Sequence, residues 1–115
     1  MEPVSDEVFE SLIDDALDLI PDSFARHMTN VVVLARPHNP DNPSLLGLFE
    51  GVPLPAQHSN HTGYLPDVVF IYKDALEAIC SDLDQLRHEV KVTVFHEVGH
   101  YFGLEEHELH HLGWG

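Results

Sequence analysis

The five residues His96-Glu97-Val98-Gly99-His100 combine the side chains and the spacing that metal-assisted hydrolysis requires. Residues four apart lie on the same side of an α-helix, so the imidazoles of His96 and His100 can share one metal ion. Glu97 lies about 100° further around the helix than His96, where it can accept a proton from a metal-bound water. The pattern therefore predicts an active-site helix with two histidine ligands and Glu97 as the general base.

The flanking sequence favours a buried catalytic helix over a histidine-rich surface helix. In a chain with this many histidines and glutamates, an HExxH match is expected by chance about 0.07 times. Requiring Gly103 at its place three residues after His100 lowers that expectation to about 0.004. The turns around the motif are apolar, as a helix under an active site requires. These apolar residues are Val90, Val94, Phe95 and Val98.

Other histidines are weaker candidates for metal binding. A second HExxH match runs from His107 to His111. Acidic residues precede it, so it is not expected to be buried, and we expect it to supply one further ligand or none. His107 and His111 should face solvent. His58 and His61 are three residues apart in an irregular segment without helical context, and we do not expect them to be ligands.

The motif and two upstream stretches resemble the small zincin-like proteins of actinobacteria and their relatives, possible zinc metallopeptidases with a minimal matrix-metalloprotease-like domain. The resemblance covers residues 92–114 most specifically, then residues 46–54 and 65–77. It implies an α+β fold in which a small twisted mixed sheet packs on an N-terminal helix and an HExxH active-site helix, with a short C-terminal helix. It also implies that the edge strand of the sheet borders the active-site cleft.

The same resemblance places the third metal ligand at Glu106. The longer HExxHxxGxxH pattern of the metzincins has a histidine there, whereas this chain has a carboxylate. A carboxylate oxygen is a competent zinc ligand, and two imidazoles with one carboxylate hold zinc in several hydrolytic sites. His110, one helical turn further on, is the alternative. We expect one zinc ion per chain, held by His96, His100 and Glu106, with nickel, cobalt or iron as other options.

The segment from Leu45 to Gly51 predicts a strand in which Gly47 marks a bulge or a close backbone approach. By resemblance this strand is the edge of the cleft, where main-chain pairing would hold an extended peptide with little side-chain selectivity. The alternative is an ordinary edge strand protected by Glu50. The residues nominated for substrate binding are Leu46, Gly47, Leu48, Phe49 and Glu50.

Hydrophobic periodicity predicts the upstream elements. An N-terminal helix spans residues 6–20, is capped by Ser5 or Asp6 and ends before Pro21. A β-branched run over residues 30–35 suits a central strand buried on both faces. A second buried strand spans residues 67–72, and a short helix follows over residues 73–80.

The ends of the active-site helix also carry signals. Ser81 and Asp84 resemble a capping box, so the helix should begin at Asp82. Gly103 should end it in a left-handed conformation, after which the chain turns back towards the metal. A short terminal helix is expected to be anchored on the body by three residues. They are Leu109, Leu112 and Trp114.

Composition and charge narrow the possible partners. The 115 residues carry a formal charge of −15, which would repel nucleic-acid phosphates and anionic membranes and attract cationic peptides. The chain begins with acids where a signal peptide has basic residues, and it has no apolar run long enough for a membrane span. We expect a single cytoplasmic domain over residues 1–115, in which Cys80, the only cysteine, is buried and unreactive.

The function that follows is zinc-dependent hydrolysis of peptide bonds in extended, preferentially cationic peptides. Glu97 would act as the general base for a zinc-bound water. One alternative is a catalytically silent zincin-like domain that binds metal and serves as a protein-interaction module. Another is a histidine-rich acidic protein that binds several metal ions loosely for storage or delivery. The substrate and the oligomeric state are not indicated by the sequence.

Overall fold

The computed structural model describes residues 1–56 and 66–115. These residues form an α+β fold, as predicted, with a small mixed sheet and helices packed on it. The elements in chain order are α1 (Asp6–Asp18), α2 (Asp22–Ala25), β1 (Val31–Arg36), β2 (Gly47–Glu50), a 3-10 turn (Leu54–Ala56), β3 (Asp67–Tyr72), α3 (Lys73–Ile79), α4 (Leu83–Tyr101) and α5 (Glu106–Leu112). None of the described helices is both long enough and apolar enough to cross a membrane.

The sheet has the strand order β1-β3-β2, with β1 parallel and β2 antiparallel to β3. β3 is the central strand, and its residues Val69 and Ile71 are completely buried. β1 is an edge strand with half-buried and exposed residues. The prediction that residues 30–35 form a central strand is therefore wrong. A run of valines suits any pleated surface, whereas position within a sheet depends on pairing with distant residues.

α1 packs on α4 through one apolar face. The hydroxyl of Ser5 accepts the N–H of Val8 at 3.1 Å, which confirms Ser5 as the cap. The helix ends at Asp18, two residues earlier than predicted, because the next residues close a tighter turn before Pro21. The short α2 that follows was not predicted, since a single turn has no periodicity to detect. The buried residues of α1 are Phe9, Leu12, Ile13 and Ala16.

α4 is the longest helix, and its two ends are fixed by local hydrogen bonds. The carboxylate of Asp82 accepts the N–H of Gln85 at 2.8 Å. The capping box predicted for Ser81 and Asp84 is wrong, because Ser81 donates its N–H and hydroxyl to the Gln85 side chain instead. At the other end Gly103 has a φ of +76°, as predicted. Its N–H and that of the next residue bond to carbonyls of the last turn, which redirects the chain towards α5.

One aliphatic and one aromatic residue anchor the C-terminal segment on the rest of the fold. Leu109 is completely buried, and Trp114 is nearly so. The Trp114 ring lies 5.1 Å from the rings of Phe24 and Phe95. Gly99 allows this approach, because any side chain there would collide with Leu109. Leu112, the third predicted anchor, is exposed and does not serve as one.

Cys80 is buried at the end of α3, as predicted. Burial raises the pKa of its thiol, and the carboxylate of Glu89 adds to that rise. A thiol that stays protonated and inaccessible is a poor nucleophile. Cys80 is therefore a packing residue.

Candidate metal centre

α4 presents His96 and His100 on one side, a single helical turn apart. Their ring centroids are 4.7 Å apart and the rings are nearly perpendicular. The left-handed turn at Gly103 brings the start of α5 back towards them. As a result, Oε1 of Glu106 lies 3.2 Å from Nε2 of His96 and 3.4 Å from Nε2 of His100. Three potential ligands from two helices thus converge on one point.

The spacing of these donor atoms fits a single zinc ion. Bonds of about 2.0–2.1 Å in a tetrahedron separate the ligand atoms by roughly 3.3 Å. The two separations from Glu106 Oε1, 3.2 and 3.4 Å, bracket that value. The side chains of His96 and His100 are only 26% and 33% exposed, so they are held by the fold and still reachable from the cleft. These three residues could therefore hold a zinc ion and leave room for a substrate.

Glu97 lies beside the two histidines but is buried more deeply, with 9% of its surface exposed. Burial raises the pKa of its carboxyl, and the charge of Glu106 adds to that rise. The two neighbouring imidazoles and the N–H of Phe49 act in the opposite direction without cancelling the effect. A carboxylate with a raised pKa is a stronger base than an exposed one. Glu97 is thus suited to accept a proton next to the potential metal ligands.

The cleft lies between α4 and β2 and has a volume of about 590 Å³. Gly47 lets the strand approach the helix closely. A methyl group on Gly47 would lie 2.7 Å from Cγ2 of Thr93 and 3.0 Å from Cγ of Glu97. Leu48, Phe49 and the two imidazoles also line the cleft. The strand nominated for substrate binding therefore borders the histidine and glutamate side chains directly.

The register of β2 decides which main-chain groups face this cleft. The N–H of Tyr72 donates to the carbonyl of Leu46 at 2.9 Å. Because residues alternate along an antiparallel ladder, the even-numbered residues of β2 direct their main-chain groups towards β3. Gly47 and Phe49 direct theirs to the outer edge of β2, with which no strand of the described residues pairs, and there the N–H of Phe49 meets Glu97.

A family model described as zincin-like metallopeptidase matches residues 27–114. The chain belongs to the zincin-like metallopeptidase family. The match includes all three strands, α4 and the converging side chains, and it begins just after α2. It confirms the resemblance to the zincin-like family, which implies zinc binding and peptide substrates. No curated protein matches the chain.

The other histidines considered as ligands are His107, His110 and His111 on α5, together with His58 and His61. His107 and His111 are exposed, as predicted, and His110, the alternative third ligand, is exposed too. His58 and His61 lie outside the described residues. In the described part of the chain, the cluster of His96, Glu97 and His100 includes neither the histidines of α5 nor Glu106, and His107 groups with Glu105 and Glu108 instead.

Two residues of α4 at this zincin-like site were missed by the sequence analysis. Thr93 precedes Glu97 by one helical turn and packs against Gly47. Glu89 precedes it by two turns and lines a cavity that adjoins His96. Their spacing of four residues was the available signal, since it places them on the Glu97 side of the helix.

Proposed function

We propose that this protein is a zinc-dependent metallopeptidase that hydrolyses peptide bonds in extended peptides. His96, His100 and Glu106 hold one zinc ion per chain, and Glu97 is the general base. The observation that carries the proposal is the position of Glu106 Oε1, within 3.4 Å of both Nε2 atoms. This carboxylate comes from a second helix and reaches the histidines only because the chain turns back at Gly103.

When bound, zinc would polarise the scissile carbonyl and acidify water in the site. Glu97 takes the proton from the attacking water and delivers it to the leaving amine. Its burial supports this role, because desolvation strengthens the carboxylate as a base. The N–H of Phe49 and the close backbone of Gly47 keep the Glu97 side chain in place during the transfer.

The outer edge of β2, which pairs with no other strand of the described residues, supports binding of an extended peptide beside these residues. The main-chain groups of Gly47 and the carbonyl of Phe49 point to that edge, so a substrate strand can pair with them, while the Phe49 N–H stays with Glu97. Leu46, Leu48 and Glu50, the other nominated residues, contribute side chains rather than main-chain bonds. Leu48 lines the cleft and Leu46 lines the adjoining cavity. Pairing of this kind selects extended peptides over folded substrates.

Metal analysis combined with a peptidase assay tests the function. The wild-type protein should contain one zinc ion per chain and cleave members of an unstructured peptide library. Glu97→Ala should keep the zinc and lose hydrolysis, because Glu97 handles protons and does not bind the metal in this scheme. His96→Ala and His100→Ala should lose both.

The same measurements separate the alternatives. Tightly bound zinc without hydrolysis of any peptide would favour the silent interaction module, and several weakly bound ions would favour metal storage. Loss of zinc from Glu97→Ala as complete as from His96→Ala would contradict the role given to Glu97.

A further inference from the structure

A second cavity adjoins the metal centre on the side nearer the start of α4. It has a volume of about 470 Å³, and we call it the side pocket. Leu45, Gly47, His96 and Glu97 line both this pocket and the main cleft. A substrate bound along β2 would therefore place a side chain near the scissile bond at the mouth of the side pocket.

Glu89 gives the side pocket a negative charge that no ion pair among the described residues neutralises. Glu89 is half-buried and lines the pocket wall. In the described part of the chain, no basic side chain lies within ion-pair distance of it. On the same helix, Arg87 pairs with Asp84 at 3.1 Å, and Lys91 lines a different cavity beside α1. A carboxylate left in this state favours a cation brought by a ligand.

The other walls suit the stem and the head of a long basic side chain. Leu45, Leu46 and Val92 provide apolar surface for methylene groups, whereas Asn42 and Ser44 provide polar groups. Glu89 precedes His96 by seven residues, which is about 10 Å along a helix. A short side chain next to the scissile bond would not span that distance, but lysine or arginine would cover most of it.

We propose that the side pocket binds a lysine or arginine side chain of the substrate, at a residue flanking the scissile bond, and that Glu89 determines this specificity. Because the pocket opens on the site of hydrolysis, this role rests on the proposed function. Glu89 acts on substrate binding and not on the metal, since it lies two helical turns from His96.

Peptides that differ only at the residues flanking the scissile bond test this role. Wild-type kcat/KM should be about 10- to 100-fold higher for lysine than for norleucine, which has a similar shape and no charge. Glu89→Gln should abolish that difference without changing the zinc content, and Glu89→Lys should shift the preference to glutamate. Asp14→Asn is the matched control, because this exposed acid on α1 carries the same charge and lies outside the side pocket.

Binding of the same peptides separates failure of this role from failure of the peptidase function. Affinity is measured by fluorescence anisotropy on the wild-type protein and on Glu89→Gln. A lysine preference in binding that disappears in Glu89→Gln supports the pocket even if no peptide is cleaved. Cleavage with equal rates for lysine, norleucine and glutamate, or a lysine preference that survives in Glu89→Gln, overturns it. If the protein shows no cleavage and no binding preference, both the pocket's role and the peptidase function are overturned.

Discussion

Glu106 is the residue on which the proposed metal centre depends most, because it comes from a different helix than the two histidines. Glu106→Ala should weaken zinc binding at least about 100-fold, since loss of residues that merely support a ligand already costs 10–100-fold. Glu106→His should restore most of the affinity, because imidazole is a zinc ligand of similar reach. Competition titrations against a chelator measure both effects.

His110→Ala is the control for Glu106. In the proposed scheme Glu106, and not His110, supplies the third ligand, so removal of the His110 side chain should change zinc affinity by less than about threefold. Normal affinity in Glu106→Ala together with a large loss in His110→Ala would reverse the assignment.

At the residue scale, the grouping of the motif side chains was easier to predict from the sequence than the residues that surround them. His96, Glu97 and His100 follow from helical spacing alone, because neighbours on one helix have a fixed geometry. Glu106 followed only from the resemblance to metzincins, since no local rule states how far a chain returns after a glycine turn. The burial of Glu97 depends on β2, about fifty residues earlier in the chain, and no pattern around the motif encodes that contact.

Gly47 controls the contact between β2 and α4, which positions the cleft. Gly47→Ala places a methyl group 2.7 Å from Thr93 Cγ2, so strand and helix must separate at a cost of about 1–3 kcal/mol in the free energy of unfolding. Hydrolysis should fall as well, because the Phe49 N–H then moves away from Glu97. Thermal unfolding and peptide kinetics measure the two effects.

Shortening Thr93 provides the matched test of that contact. Thr93→Ser removes the Cγ2 atom, so the double variant Gly47→Ala/Thr93→Ser should recover part of the lost stability and activity. Equal losses in the single and double variants would show that the glycine is needed for another reason.

At the element scale, boundaries were predictable where local chemistry sets them. β3 spans residues 67–72 as predicted, because a buried β-branched run meets a polar residue at one end and a helix at the other. The N-cap of α4 was assigned to the wrong residue, since Ser81 and Asp82 can both cap and only the tertiary path decides between them. The central place of β3 and the edge place of β1 depend on pairing across more than thirty residues, which no local pattern records.

On the scale of the whole molecule, we propose that residues 1–115 form a single cooperative domain, although the family match begins at residue 27. α1 lies outside that match, yet Phe9 is completely buried in the same core as Val90 of α4. Far-UV circular dichroism and the fluorescence of Trp114, the only tryptophan, should therefore report one common unfolding transition.

Phe9→Ala tests this cooperativity directly. It should lower the free energy of unfolding by about 3–5 kcal/mol and shift both signals together. Val8→Ala on the same helix is the control, because Val8 is exposed and its loss should cost less than about 1 kcal/mol. A shift in circular dichroism without a shift in Trp114 fluorescence would indicate that α1 is an independent appendage.

The net charge of the chain affects substrate capture over a longer range than any one residue. With −15 formal charges, the protein should attract cationic peptides and accelerate their association at low ionic strength. Raising the salt concentration from about 10 mM to about 500 mM shortens the Debye length from roughly 30 Å to under 5 Å. We expect kcat/KM for a lysine-rich peptide to fall by about tenfold or more over that range, while that of a neutral peptide changes little.

Glu89→Gln separates this long-range attraction from recognition in the side pocket. It removes one of twenty acids, so the slope of log kcat/KM against log salt should stay close to that of the wild-type protein, even though the rate for lysine peptides falls at every salt concentration. A slope near zero for Glu89→Gln would mean that the long-range attraction of cationic peptides comes from this one carboxylate. A preference for acidic peptides at low salt would show that the charge of the chain has no part in capturing substrate.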